Sequence, residues 1–133
     1  LMTMVGDAYA APLVDELGRR NYDLSALFAI GTGGAATNVR HQQALLKQLP
    51  HITVINGYGS SETGNMGFGH SRKGSQADTF TIRTGGLVLA EDYSRFLEPG
   101  EPQIGWVART GRIPLGYFAD EAATAKTFPV VEG

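Results

Sequence analysis

The stretch ALFAIGTGGAATN, residues 26–38, decides how the first half of the chain folds. Leu27 to Ile30 form a short, continuously apolar run of the kind found in a parallel strand covered on both faces. Glycines follow at once, and Thr37 or Asn38 can then cap a helix that turns Val39, Leu45, Leu46 and Leu49 inward. Pro50 closes that helix before a second apolar run, HITVIN at 51–56. Strand, glycine loop, helix and strand make a βαβ unit. Upstream, Asp7 can cap an earlier helix in which Ala10, Leu13, Val14 and Leu17 share one face, with Pro12 kinking its first turns and Gly18, Arg19 and Arg20 ending it. Units of this kind bind ligands at the carboxyl ends of their strands, where the glycine-rich loops 31–38 and 56–67 lie together.

Beyond about residue 67 the character changes. The β-prone runs DTFTIR (78–83), LVLAED (87–92) and GWVAR (105–109) are separated by Gly85-Gly86 and by EPGEP, with Pro99-Gly100 a turn pair. Asp120 can cap a final short helix through EAATAKTF. The fold class expected is therefore α/β, with a βαβ-type parallel sheet segment over residues 1–68 and a β-rich antiparallel segment over 69–133.

Composition narrows the function. The chain has 133 residues, 42% of them hydrophobic and 18% charged, which is ordinary globular material. A net charge of −2 offers no basic surface to nucleic acid or anionic lipid. The absence of cysteine excludes disulfides and thiolate metal sites, and neither a signal peptide nor a membrane-length apolar run is present, so the expected compartment is the cytoplasm. Glycine, at 18 residues, is about twice as frequent as the average of roughly 7%, which calls for many tight turns.

The most informative polar segment is INGYGSSETGNMG, residues 55–67, where one aromatic ring, two hydroxyls and one carboxylate stand among glycines. Glycine lets a bulky ligand approach the backbone, so this composition suits a binding loop. Asn56-Gly57 is equally a hairpin signal, and a surface turn is the alternative. Gly31, Gly33 and Ala36 satisfy the dinucleotide pattern G-x-G-x-x-A, but the acidic residue that fold requires about 20 positions later is replaced by Asn56. A hydrolase elbow fails because Thr63 stands where Gly59-x-Ser61 would need its second glycine. His41, His51 and His70, on a helix, a strand entry and a polar loop, lack metal-ligand spacing and are read as solvated or capping side chains.

INGYGSSETG resembles the Tyr-Gly-x-Ser/Thr-Glu motif of the acyl-adenylate-forming superfamily, and within it the acyl-CoA synthetases. GTGGAATN is similar to that family's Gly-Gly-Ala adenine loop. LMTMVGDAYAAPLVDEL resembles the strand and helix before it, and GRIPLGYFADEAATAKTF resembles the family's Gly-Tyr, acidic residue, Thr-x-x-Thr-Phe segment. The resemblance implies an ATP-dependent ligase that adenylates a carboxylate, of fatty or similar apolar type, and passes the acyl group to coenzyme A. It implies catalytic roles for Ser61, at the α-phosphate, and for Glu62, which would hold Mg²⁺. It further implies that the Tyr58 ring stacks on adenine, that Gly33, Gly34 and Ala35 form the wall beside the base, and that Gly57 and Gly59 let the backbone reach the adenylate.

The family's lysine-bearing phosphate loop and its small C-terminal domain have no counterpart here. Neither Arg83-Thr84-Gly85 nor Arg109-Thr110-Gly111 is followed by the family's ribose-binding aspartate, which is expected beyond Gly133. The chain is accordingly read as an internal fragment of the large N-terminal domain, inactive and self-associating in isolation. Two other readings remain at this point: a non-catalytic nucleotide-binding or interaction module, and a nicotinamide-dependent oxidoreductase.

Overall fold

The structure, a computed structural model, describes residues 1–75 and 79–131. They divide into two compact units: Leu1–Ser60 with Asn65–Ile82, and Ser61–Gly64 with Arg83–Gly133.

The first unit is built on a sheet of order β1-β2-β3-β4-β5. Strands β1 (Met2–Met4), β2 (Ala29–Thr32) and β3 (Thr53–Ser60) run parallel, with Ile30 opposite both Met2 and Val54. The connections are helices α1 (Gly6–Arg19) and α2 (Val39–Gln48), as parallel pairing demands. Both helices pack into one core. Ala10, Leu45 and Leu46 meet Met4, Ile30 and Val54 there, and Leu13, Val14 and Leu17 close over them, which is the inward face read from the sequence. Val39 departs from that reading: at the first turn of α2 it is 45% exposed.

The Asp7 expectation is also corrected. Val5 is the N-cap of α1 and makes no side-chain capping bond. The Asp7 carboxylate is turned away, toward the start of α2, where it accepts from the Asn38 N–H. Asn38 in turn caps α2 through the Arg40 N–H. Gly6 opens α1 at a φ of 57°, and a Cβ there would lie 2.7 Å from that of Ala35, so only glycine admits this close approach.

Residues 56–67 are not a loop. Strand β3 carries Asn56 to Ser60, the turn falls at Ser61–Thr63, and β4 resumes at Gly64 and runs to Ser71. Asn56-Gly57 is therefore strand, and so is His70. Two facing runs of strand can tolerate this many glycines because the sheet ladder supplies the partners their backbone needs. Strand β5 (Thr81–Ile82) pairs antiparallel with β4; the first residue of the expected run DTFTIR lies outside the described residues.

In the second unit β6 (Gly86–Ala90) and β7 (Gly105–Arg109) pair antiparallel, Val88 opposite Val107. Helix α3 (Glu121–Thr127) follows, capped as expected by Asp120, whose carboxylate accepts from the Ala123 N–H.

Candidate active site

In the first unit the glycine stretch after β2 is held at several points. Thr32 and Thr37 join their hydroxyls across it at 2.5 Å, the Gln42 amide donates to the Thr37 carbonyl at 2.8 Å, and the Asp7 N–H donates to the Ala36 carbonyl at 3.2 Å. Asp7 also receives Nδ1 of His41 at 2.7 Å. Gly34 takes a φ of 74°, the left-handed turn that the loop needs. A Cβ on Gly33 would stand 3.1 Å from the Gly57 carbonyl oxygen, so the glycine stretch leaving the carboxyl end of β2 comes against the middle of β3.

A cleft of about 340 Å³ opens beside that meeting point, lined by Thr3, Gly31, Gly33, Ile55, Gly57 and Phe68 among others. Gly31 pairs in register with Ile55, and Ile55 and Gly57 are two apart along β3, so these three share a face of the sheet. Missing side chains on that face leave the room. Asn65 Oδ1 is buried and, among the described residues, has no hydrogen-bond partner, which marks a place for a donor from a water or a ligand. Its Nδ2 lies 3.6 Å from where a Gly57 Cβ would be.

Tyr58 is 46% exposed, with its ring 5.5 Å from that of Phe80 and tilted by 44°. Gly59, next to it, takes a φ of 157°. The Gly33, Gly34 and Ala35 backbone and the Tyr58 ring thus belong to one compact unit, while Ser61 and Glu62 belong to the other.

In the second unit long-range bonds help fix the turn at Ser61–Thr63. Arg109 donates from Nη1 to the Thr63 carbonyl at 2.9 Å, and the Tyr117 hydroxyl donates to Glu62 Oε1 at 2.5 Å. Gly64 leaves the turn at a φ of 66°. Holding a proton for a carboxylate raises the Tyr117 phenol above its ordinary value of 10.0, chiefly through Glu62. Ser61 is exposed.

Sequence reasoning missed three participants: Tyr117 as the partner of Glu62, Gln42 as a buried hub that accepts from both Asn56 and Ser71, and His41 as the partner of Asp7. Tyr117 had a signal, since Gly116-Tyr117 belongs to the segment matched downstream. The other two lie on α2 with nothing in their spacing to single them out.

No three histidine, cysteine, aspartate or glutamate side chains cluster as a metal cage among the described residues. Mg²⁺ takes one or two carboxylates and leaves its remaining positions to phosphate oxygens and water. Glu62, a carboxylate on a tight turn, is a ligand of that chemical type.

No protein-family profile matches the chain. Individual proteins do. The medium-chain acyl-CoA ligase Mig of Mycobacterium avium is 43% identical over 134 residues, covering 100% of this chain and 24% of the relative. The 3-oxocholest-4-en-26-oate-CoA ligase of Rhodococcus rhodochrous is 40% identical over 139 residues, covering 98% and 25%. The chain thus spans about a quarter of the length of the curated relatives it matches. Among solved structures, IdnL1 superposes with a TM-score of 0.65 at 22% identity, over 93% of this chain and 26% of that one. The luciferase-like enzyme of the mealworm Zophobas morio gives 0.55 at 24% identity, over 74% and 25%. These two similarities bear on the fold, which they share.

Proposed function

We propose, for a chain that belongs with the acyl-CoA ligases by homology along its full length, that it builds the adenylate-handling part of an ATP-dependent enzyme joining a carboxylic acid to coenzyme A. The observation that carries this reading is homology over the whole of this chain to about a quarter of the length of ligases of that kind, with Tyr58, Ser61 and Glu62 standing where β3 ends and turns. It favours neither the nicotinamide enzyme nor a module without chemistry.

In the reaction, the substrate carboxylate attacks the α-phosphate of ATP and pyrophosphate leaves; the thiol of coenzyme A then attacks the acyl carbon and AMP leaves. Such transfers are accelerated chiefly by positioning and by neutralising phosphate charge. Mg²⁺ supplies that neutralisation when bound. Glu62 holds it. Ser61 offers its hydroxyl to the α-phosphate, Tyr58 stacks on adenine, and the small-residue edge of Gly33, Gly34 and Ala35 lies along the base. Gly57 and Gly59 let the strand approach the adenylate closely. The cleft beside Gly31 and Ile55, lined almost wholly by apolar atoms, supports an apolar acid as substrate.

No helix among the described residues is long and apolar enough to cross a membrane. The enzyme is read as cytoplasmic, with no nucleic-acid partner. Leu115, Phe118 and Val130, all fully or almost fully exposed, support the view that the chain alone self-associates.

A hybrid tests the reading: the matching segment of the Mycobacterium avium ligase is replaced by this chain. The hybrid is expected to form acyl-CoA from a medium-chain acid, ATP and coenzyme A. A folded hybrid that binds no adenylate analogue and forms no product contradicts the proposal.

A further inference from the structure

We propose that Tyr117 is a positioning residue for Glu62: its phenol fixes the carboxylate in the orientation that receives Mg²⁺. This rests on the ligase reading above, and goes beyond it by assigning a role to a residue 55 positions from the one it serves.

The placement of Tyr117 is itself constrained. Its backbone N–H donates to Thr124 Oγ1 at 2.9 Å, and that hydroxyl donates onward to the Asp120 carbonyl at 2.7 Å. Residues Tyr117 and Asp120 pair as an isolated bridge, and between them Ala119 takes the left-handed φ of 55°. A non-glycine residue in that region persists only when its surroundings hold it there. Gly116 is equally committed: at a φ of 149°, a Cβ would lie 2.4 Å from Thr124 Cγ2. The ring packs against Phe128, with centroids 5.8 Å apart. Helix α3, capped by Asp120, thus holds the turn, the turn holds the phenol, and the phenol reaches Glu62.

A carboxylate on a three-residue turn has free rotation about its side-chain bonds unless something holds it. The phenol on Oε1 restricts that freedom, and an ionised carboxylate, with about four lone-pair sites, accepts from several partners at once. Partners that hold a metal's ligands in this way are worth about 10–100-fold in metal affinity when removed. A purely structural hydrogen bond has no reason to act on Mg²⁺ dependence alone.

Two measurements test the assignment. In the chain itself, ring NMR resonances of Tyr117, identified with Tyr117→Phe, are titrated with pH in wild type and in Glu62→Gln. The phenol is expected to titrate at lower pH in Glu62→Gln; identical titrations overturn the contact. In the hybrid ligase, Tyr117→Phe is expected to raise the Mg²⁺ concentration for half-maximal ATP–pyrophosphate exchange by about 10-fold. The KM for the acid at saturating Mg²⁺ should stay unchanged. An unaltered Mg²⁺ dependence in Tyr117→Phe, with Glu62→Gln inactive, overturns the positioning role and leaves the ligase reading standing. Activity in Glu62→Gln overturns both.

Discussion

Asp7 and His41, 34 positions apart, meet at 2.7 Å, and the same carboxylate oxygen receives the Asn38 N–H. One side chain from the second position of α1 therefore anchors the end of the glycine loop and the first turn of α2. His41 is only 14% exposed, so the imidazole is held in place. Asp7→Ala is expected to speed amide exchange at Ala36 to Asn38 and, in the hybrid ligase, to weaken the adenylate analogue while leaving the hydrophobic core intact. Unchanged exchange and affinity would show that the loop is fixed without this carboxylate.

Tyr58 tests the stacking role. Tyr58→Ala is expected to weaken nucleotide binding to the hybrid by about 1–3 kcal/mol, the range for an aromatic ring on a base, and Tyr58→Phe to cost little. Calorimetry with an acyl-AMP analogue distinguishes them. A large loss in the phenylalanine variant would assign the role to the hydroxyl.

The apolar pattern left by parallel-sheet burial was legible without a structure. Leu45 and Ile30 are fully buried, and the strand-helix-strand order followed from their runs. What misled was glycine. Residues 56–60 look like loop because glycine is a poor strand former alone, but cross-strand partners outweighed propensity and carried β3 to Ser60. Asp7 misled for a related reason: an aspartate near a helix start is read as its cap, and only the folded chain shows that it serves a neighbouring helix. The Glu62–Tyr117 bond joins residues too far apart in sequence for any local pattern to pair them.

The core offers a contrast of two α2 residues that sequence reading treated alike. Leu45→Ala is expected to destabilise the chain by about 2–5 kcal/mol, through lost burial and a cavity. Exposed Val39→Ala is expected to stay within about 0.5 kcal/mol. Urea unfolding of the two variants checks this, and similar losses would contradict the packing described.

Acid titration probes the second unit. Arg95 grips Glu101 through both guanidinium nitrogens, at 2.9 and 2.7 Å, and the Glu98 N–H adds a further bond. Together, Arg95 first, they lower the Glu101 carboxyl from its ordinary 4.5 to about 2. A carboxyl lowered on folding contributes stability that is present above 4.5 and is lost as pH falls toward about 2. The pair is solvent-exposed, so salt weakens the effect. The side-chain carbonyl resonance of Glu101 is expected to titrate near the lowered value, and Arg95→Ala to move it up. Titration at the ordinary value in the wild type would show that the grip does not persist in solution.

The central claim is that Glu62 serves nucleotidyl transfer, and carboxylate-dependent ATP–pyrophosphate exchange measures that step without coenzyme A. With the hybrid ligase, Glu62→Gln is expected to abolish exchange while the protein stays folded and still binds the adenylate analogue, because the amide keeps the shape of the side chain and loses its charge. Exchange at the rate of the unsubstituted hybrid would contradict the account.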